Sequence, residues 1–499
     1  MTTAGLRRPP LPWNRLRNIG LPGLVALLLV GTGAIRLWAG AGEPLWIDEA
    51  WTGVHALQPT FGQFLREVYV DINAPLYYVL TWSWAALFGV SNEALRAPAL
   101  AFGLLAPLVA LLPVREIDRP TRLIWCALLA TWPPSLLQAQ EARCYTLLFG
   151  LATLGVVLHV RMLAVPTLAR AAAWAGVGSL AILTHYYAAI LFGCQGLAYL
   201  ARHRAAAVRT WPAALLYLPA FGWMAYHLPQ LAGFAQTNWY TRLDLAALPL
   251  VGFYVVGPAP LTLALMGAGL RGSIFGLSRD VFGGRGAALA WAVAAVAAAT
   301  LVLVTAGMLR PSFTARYLTI FVPGLLLAVS AWAAAIARQR PWAPAVLLAA
   351  AFGWALLWTV NVGAGPSRIL NFEAASAHLV HEGADTVAFT WDNPSARGLE
   401  PRQMAEFGSF FFRRAAAPVT TIGLSIPADG DPNRLLPDAA RGRKPGILWV
   451  YDLNVPGTAA IAHPAAIERL DPTWACRDFG RDTIGVVACI RSAPKPPPV

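Results

Sequence analysis

Apolar runs of about twenty residues recur along this chain from Leu21 to about Val362, and each is long enough to cross a hydrocarbon core of about 30 Å as an α-helix. A chain built this way lives mostly in lipid. Composition agrees: of 499 residues, 57% are hydrophobic and 13% charged, with a mean hydropathy of +0.54, whereas a soluble domain carries roughly a quarter charged residues. The net charge of +13 does not point to nucleic acid. All but two of the 38 basic residues are arginine, and most before Arg368 occupy short links between apolar runs, where the positive-inside rule puts them.

Helices are expected at roughly 20–39, 94–114, 122–139, 145–160, 171–187, 188–201, 211–230, 250–270, 287–307, 318–337 and 342–362, about eleven spans by length. With the N-terminus in the cytoplasm, the inner links hold Arg7, Arg8, Arg15 and Arg17, then Arg115, Arg119 and Arg122, and every later inner link is also arginine-bearing. The first apolar run is full length and lacks a small-residue cleavage site before the WIDEA string, so it is read as a retained helix rather than a signal peptide. Leu76 to Phe88 is apolar but short, which makes it a re-entrant or interfacial helix within a first outer loop at 40–93. Counting it as a span would put the arginine links outside.

An odd span count places everything after about Gly363 outside the cytoplasm. There the composition shifts to Asp, Glu, Asn and Pro, and both lysines, Lys444 and Lys495, appear. Residues 363–491 read as a small α/β domain of about 130 residues, with strands at Thr386 to Trp391, Ile447 to Tyr451 and Ile484 to Ile490 and a helix at Phe372 to His381. Residues 492–499, with their Pro-Lys-Pro-Pro-Pro run, read as an extended tail. Cys126, Cys144 and Cys194 lie within or at the ends of apolar runs without metal-ligand spacing. Cys476 and Cys489 flank expected strands in an oxidising compartment and are expected to pair, closing a loop for about 3 kcal/mol of stabilisation.

The remaining polar residues gather on the side assigned as outer. The first group is WIDEAWTG, Trp46 to Gly53, with two carboxylates directly after the first helix; an aromatic belt with solvated acids would look similar. A carboxylate there can take the proton of an acceptor hydroxyl as it attacks an anomeric carbon. Asp48 is the first choice for that base, with Glu49 as a neighbour that raises its proton affinity or grips the acceptor. A second group is QAQEARCY, Gln138 to Tyr145, and RPSFTARY, Arg310 to Tyr317. Arg143, Arg316 and Tyr317 suit a lipid-linked phosphate, since a guanidinium fork matches phosphate oxygens; internal pairing, for instance of Arg143 with Glu141 or with the WIDEA acids, is the alternative. Arg242 of NWYTR, Asn238 to Arg242, joins the candidate phosphate set. Asn73 and Tyr77 of DINAPLYY, with Glu141, Tyr145, His185 and Tyr186, are candidates for sugar or acceptor contact, although a lone His among aromatics is more often a packing residue. Asp71 and Asn73 have no partners at metal-ligand spacing, so no cofactor is expected and a divalent ion has no support.

In order along the chain, LWIDEAWT, NAPLYY, QEARCY, THYYA and PSFTARYL resemble the glycosyltransferase family 39-like members of the GT-C superfamily, whose relatives include aminoarabinose transferases and protein O-mannosyltransferases. The resemblance covers about residues 20–340. It implies an all-α GT-C membrane bundle over 1–362, a polyprenyl-phosphate sugar donor, inversion at the anomeric carbon, and an aspartate of the first outer loop as base, which is Asp48 here. It also sets Arg316 and Tyr317 where relatives hold the donor phosphate. Asn73 stands where many relatives carry His, and the loop lysines of aminoarabinose transferases are absent, which argues against that sugar specificity. The expected protein is a multi-pass glycosyltransferase of the bacterial inner membrane, acting on an envelope lipid, glycan or protein from the periplasmic face. A lipid-linked sugar flippase is the competing class, but its usual internal repeat with broken helices in both halves is not seen in the sequence.

Overall fold

The computed structural model describes residues 20–38, 42–234, 242–268, 286–362, 371–392, 399–425, 436–452, 464–480 and 484–491. The NWYT part of the NWYTR string, the links holding Arg7 to Arg17 and Arg271 to Arg285, and the tail from 492 lie outside the described residues. The first part of the chain is a helical membrane bundle: α1 (Leu21–Trp38), α5 (Asn92–Leu105), α6 (Arg119–Thr131), α7 (Pro133–Gln138), α8 (Tyr145–Ala164), α9 (Leu168–Thr184), α10 (Ala188–His203), α11 (Leu218–Phe234), α12 (Leu248–Val256), α13 (Ala259–Gly267), α14 (Ala287–Leu309), α15 (Val322–Ala337) and α16 (Ala343–Val362). Between α1 and α5, the long loop carries α2 (Ile47–Ala56), α3 (Phe61–Val70) and α4 (Leu76–Phe88).

Among the described residues, five helical stretches are long and apolar enough to cross a membrane unaided, Leu21–Trp38, Asn92–Leu111, Tyr145–Ala164, Ala287–Leu309 and Ala343–Asn361, and a bent pair makes up to six. The sequence suggested about eleven. Part of the difference lies in helices that are apolar but short, such as Leu168–Thr184 and Val322–Ala337, and part in breaks that hydropathy does not feel. The expected span at 122–139 is cut by Pro133 and Pro134 into α6 and α7, and the one at 250–270 turns through 78° between α12 and α13. That bend is built on Gly257, at φ +54, where a Cβ would stand 2.4 Å from the Trp354 ring. Irregular backbone at membrane depth is tolerated when protein covers it, and at the α6–α7 break the cover is Arg36. Pro134 has no N–H to offer the Ala130 carbonyl; Arg36 donates to that carbonyl at 3.1 Å and to Ser135 Oγ at 2.8 Å. The arginine caps α6 from α1.

The C-terminal part is α/β: α17 (Phe372–His381), β1 (Thr386–Asp392), α18 (Pro401–Arg414), β2 (Thr420–Gly423), α19 (Leu436–Ala439), β3 (Pro445–Asp452), α20 (Pro464–Leu470), β4 (Trp474–Asp478) and β5 (Ile484–Arg491). The sheet order is β2-β1-β3-β5-β4, with β1 parallel to β2 and β3, and β5 antiparallel to β3 and β4. The three strands legible in the sequence are the three inner ones, whose burial on both faces demands apolar runs. The edge strands β2 and β4 carry no such signal. Cys476 on β4 lies directly opposite Cys489 on β5, and the two form a disulfide.

This part is not a free appendage. Leu45, Ala50 and Val54 of the loop share one core with Phe372, Phe407, Phe410 and Val450, and charged contacts ring it: Arg402 to Glu67 at 2.7 Å, Arg413 to the Leu57 carbonyl at 3.1 Å, and Arg414 to Asn92 at 2.6 Å and to Glu373. A close approach is at Gly53, where a Cβ would lie 2.3 Å from the Phe410 ring. Gly53→Val is therefore expected to lift α18 off α2, since overpacking of this kind costs about 1–3 kcal/mol. Hydrogen exchange in nanodiscs should rise in residues 45–56 and 401–414 together; wild-type protection in both segments would show that the contact does not hold them.

Candidate active site

The site is assembled at the N-terminus of α2, where the WIDEAWTG string places its two carboxylates in the first helical turn, the position at which the helix dipole favours negative charge. The two then part. Glu49, 1% exposed, accepts from Arg96 at 2.7 Å on each oxygen, from the Ala142 N–H at 2.8 Å and from the Trp46 N–H at 3.2 Å. Arg96 uses its other donors on the Glu43 and Pro44 carbonyls. A carboxylate so engaged joins three segments of chain and has no oxygen to spare, so the reading of Glu49 as a second catalytic carboxylate gives way to a structural one.

Asp48 is about three-tenths exposed, and its Oδ2 accepts from Arg316 at 2.9 Å. The Arg316 guanidinium lies over the Trp46 ring at 5.4 Å and the Tyr145 ring at 5.9 Å. Arg143 is buried and reaches the backbone carbonyl of Asp48 at 3.2 Å and the Tyr78 hydroxyl at 3.1 Å. It makes no ion pair among the described residues, and its Nε is buried without a partner.

A second layer holds Arg143 in place. Tyr78 donates to Asp71 Oδ2 at 3.0 Å, so its hydroxyl can only accept from Arg143. The Asn73 N–H and side-chain amide both donate to Asp71 Oδ1, at 2.9 and 2.7 Å. His55 stacks on Tyr78 with ring centroids 4.3 Å apart and stands 3.7 Å from Asp71. Burial pushes the Asp71 carboxyl up, but His55, Arg143 and the Asn73 bonds outweigh it and hold the group below its ordinary value. Asn73, expected at the sugar or acceptor, is instead committed to Asp71.

The other candidates divide. Tyr77 and Tyr145 are buried together beside Cys144, and among the described residues the Tyr77 hydroxyl has no hydrogen-bond partner. Glu141, part-buried, exerts its charge on both Arg96 and Arg316. His185 packs edge-on against Tyr317 at 5.0 Å, and Tyr317 stacks on Tyr187 at 4.6 Å. His185 is buried, and its Nδ1 accepts from the Tyr187 N–H at 3.4 Å. Tyr186 belongs to a different cluster, bonded to His227 Nδ1 at 2.6 Å and to Trp223 at 2.9 Å, while His227 Nε2 reaches the Tyr69 carbonyl at 2.8 Å. That cluster bolts α11 to the end of α3. Arg242 is exposed next to Leu243, which is bonded to Gly307, and among the described residues no bond ties it to Asp48. No three His, Cys, Asp or Glu side chains gather as metal ligands among the described residues.

Arg96, His55 and Tyr78 were missed from the sequence. Arg96 had a signal, being an arginine outside the cytoplasmic links. The two carboxylates should separate by experiment. Breaking a buried ion pair from one side costs about 3–5 kcal/mol, so Glu49→Ala is expected to lower the thermal unfolding temperature in nanodiscs sharply. Asp48→Asn, which opens a part-exposed pair worth about 1 kcal/mol or less, should shift it little. Equal losses would return Glu49 to the candidate catalytic set.

No family model and no curated protein sequence matches the chain. Among solved structures it is similar over nearly its whole length to ArnT from Cupriavidus metallidurans. The crystal structure in the apo state superposes with a TM-score of 0.59 at 14% identity, over 95% of this chain and 99% of that one. The structure bound to undecaprenyl phosphate gives 0.58 at 14%, over 96% and 99%. The chain thus has the ArnT fold: a multi-pass helical membrane bundle followed by a C-terminal α/β part.

Proposed function

We propose that this protein is an integral membrane glycosyltransferase that moves a sugar from a polyprenyl-phosphate donor to an envelope lipid, glycan or protein, on the periplasmic face of a bacterial inner membrane and with inversion. The observation that carries this reading is the pairing of Asp48 with Arg316 beside the unpaired cation Arg143, at the end of the bundle that bears the long loop. The neighbouring ArnT structure bound to undecaprenyl phosphate supports a lipid carrier of that kind.

In this reading the donor phosphate lies against Arg143 and Arg316, whose forks meet its oxygens. Asp48 takes the proton from the acceptor hydroxyl; the acceptor oxygen forms its bond to the anomeric carbon from the side opposite the phosphate. The carbon–oxygen bond to the phosphate breaks, and its electron pair leaves on polyprenyl phosphate, where the two guanidinium groups stabilise the growing charge. Tyr77, Tyr145 and the His185–Tyr317 stack supply ring faces and hydroxyls next to this centre for the sugar. The C-terminal part, seated on α2, closes the acceptor side.

Wild-type protein in nanodiscs, given radiolabelled undecaprenyl-phosphate sugars and total envelope extract, is expected to transfer label to an extractable acceptor. Asp48→Asn should reduce that rate at least about a hundredfold, the usual lower bound for loss of a general base, and Arg316→Lys should also impair it, because a point charge does not replace the fork. Movement of labelled donor between leaflets without transfer would instead favour a flippase, and an Asp48→Asn rate above about a tenth of wild type would remove Asp48 from the base role.

A further inference from the structure

Two arginines serve the proposed phosphate site, and they are held in opposite ways. Arg143 is buried, oriented by Tyr78 and Asp71, and bonded to a backbone carbonyl rather than a carboxylate. Its position is fixed before any ligand arrives, and among the described residues its guanidinium touches no carboxylate directly, being joined to Asp71 only through the Tyr78 hydroxyl. Arg316 is about three-tenths exposed, and among the described residues its one ion pair is with Asp48, the group that must act as base. A carboxylate oxygen already taken by a guanidinium is not open to an acceptor hydroxyl. The ligand-free site therefore holds Asp48 Oδ2 engaged by Arg316.

We infer that Arg316 is a latch exchanged between substrates: it holds the Asp48 carboxylate while the site is empty, and the donor phosphate draws it away, so that the base is released only when a donor is seated. This deepens the function proposed above and rests on it. The exchange has a physical driving force. A phosphate offers the fork two oxygens in its own plane, and Arg143 stands ready as a second cation, so phosphate competes for Arg316 against a single carboxylate oxygen. Trp46 and Tyr145 flank Arg316 and let the planar group slide between the two anions while stacked. The device orders the reaction, with donor first and acceptor activation second. The charge of Glu141 also acts on Arg316, so the test must isolate the Asp48 contribution.

A double-mutant cycle does so, read as undecaprenyl phosphate affinity in nanodiscs for wild type, Asp48→Asn, Arg316→Ala and the double variant. Because Asp48 competes with phosphate for Arg316, Asp48→Asn should bind about two- to fivefold more tightly than wild type, the affinity equivalent of a part-exposed ion pair. That gain should vanish in the Arg316→Ala background. Arg316→Ala alone should weaken binding. If Asp48→Asn gains nothing, or gains equally in both backgrounds as simple relief of repulsion would, the latch is wrong while the phosphate site stands. If Arg316→Ala binds like wild type, the phosphate assignment fails and the latch falls with it. Both side chains are part-exposed, and circular dichroism and gel filtration of each variant separate misfolding from any of these outcomes.

Discussion

The buried Glu49–Arg96 pair is the contact on which the geometry of the site depends. Taking two charges out of water is costly unless nearly every lone pair and proton is satisfied, and here the satisfaction is close to complete: two guanidinium bonds, two backbone N–H donors and two backbone carbonyls. Those partners belong to α2, α5, the segment before α2 and the loop that ends in Arg143. One ion pair therefore registers the base, the end of a membrane helix and the Arg143 loop against one another. Asp48, one residue earlier on the same helix, is turned by that registration toward Arg316, which arrives from far along the chain.

Around this centre the bundle uses breaks as positioning devices. Regular helices alone would bring few side chains to one end of a bundle, because their polar backbone is satisfied internally and their ends are set by membrane thickness. Pro133 and Pro134 interrupt the helix leading into the Arg143 loop, Arg36 satisfies the carbonyl they orphan, and Gln138 at the end of the short α7 donates to Thr319 at 3.0 Å, whose hydroxyl in turn bonds the Arg316 carbonyl at 2.7 Å. The backbone on both sides of the Asp48–Arg316 pair is thus cross-linked by side chains. The pair itself is left as the loosely covered element.

The C-terminal α/β part contributes to the site through α2 rather than by supplying polar side chains to it. Its aromatic face, Phe407 and Phe410 above all, shares a core with α2 and with Leu95 and Ala142, and Arg402 and Arg413 tie the loop at two further points. A loop of this length with short helices would otherwise be the least stable region of the protein. Packing a folded sheet against it turns a connection between two membrane helices into a rigid platform.

The sequence by itself determined that the chain crosses a membrane repeatedly, that a small α/β region follows, and that acids and arginines collect at one end, because lipid burial and strand burial both write apolar length directly into composition. It also singled out Asp48, Arg143 and Arg316, since charged residues at the ends of apolar runs are conspicuous. What each charge does was decided only by tertiary structure. Asp48 and Glu49 are neighbours with the same chemistry, and nothing in their order says that one is sealed by Arg96 while the other stays within reach of Arg316. Asn73 resembled a ligand contact until its bonds to Asp71 became visible, and Tyr186 resembled its neighbour Tyr187 until the chain turn sent the two into different clusters. A charge or hydroxyl is defined by its partner: for Glu49, Asp48 and Tyr186 the partners lie tens to hundreds of residues away, where local sequence carries no record of them, and for Asn73, whose partner is two residues off, the turn that joins the two is what the sequence left unread.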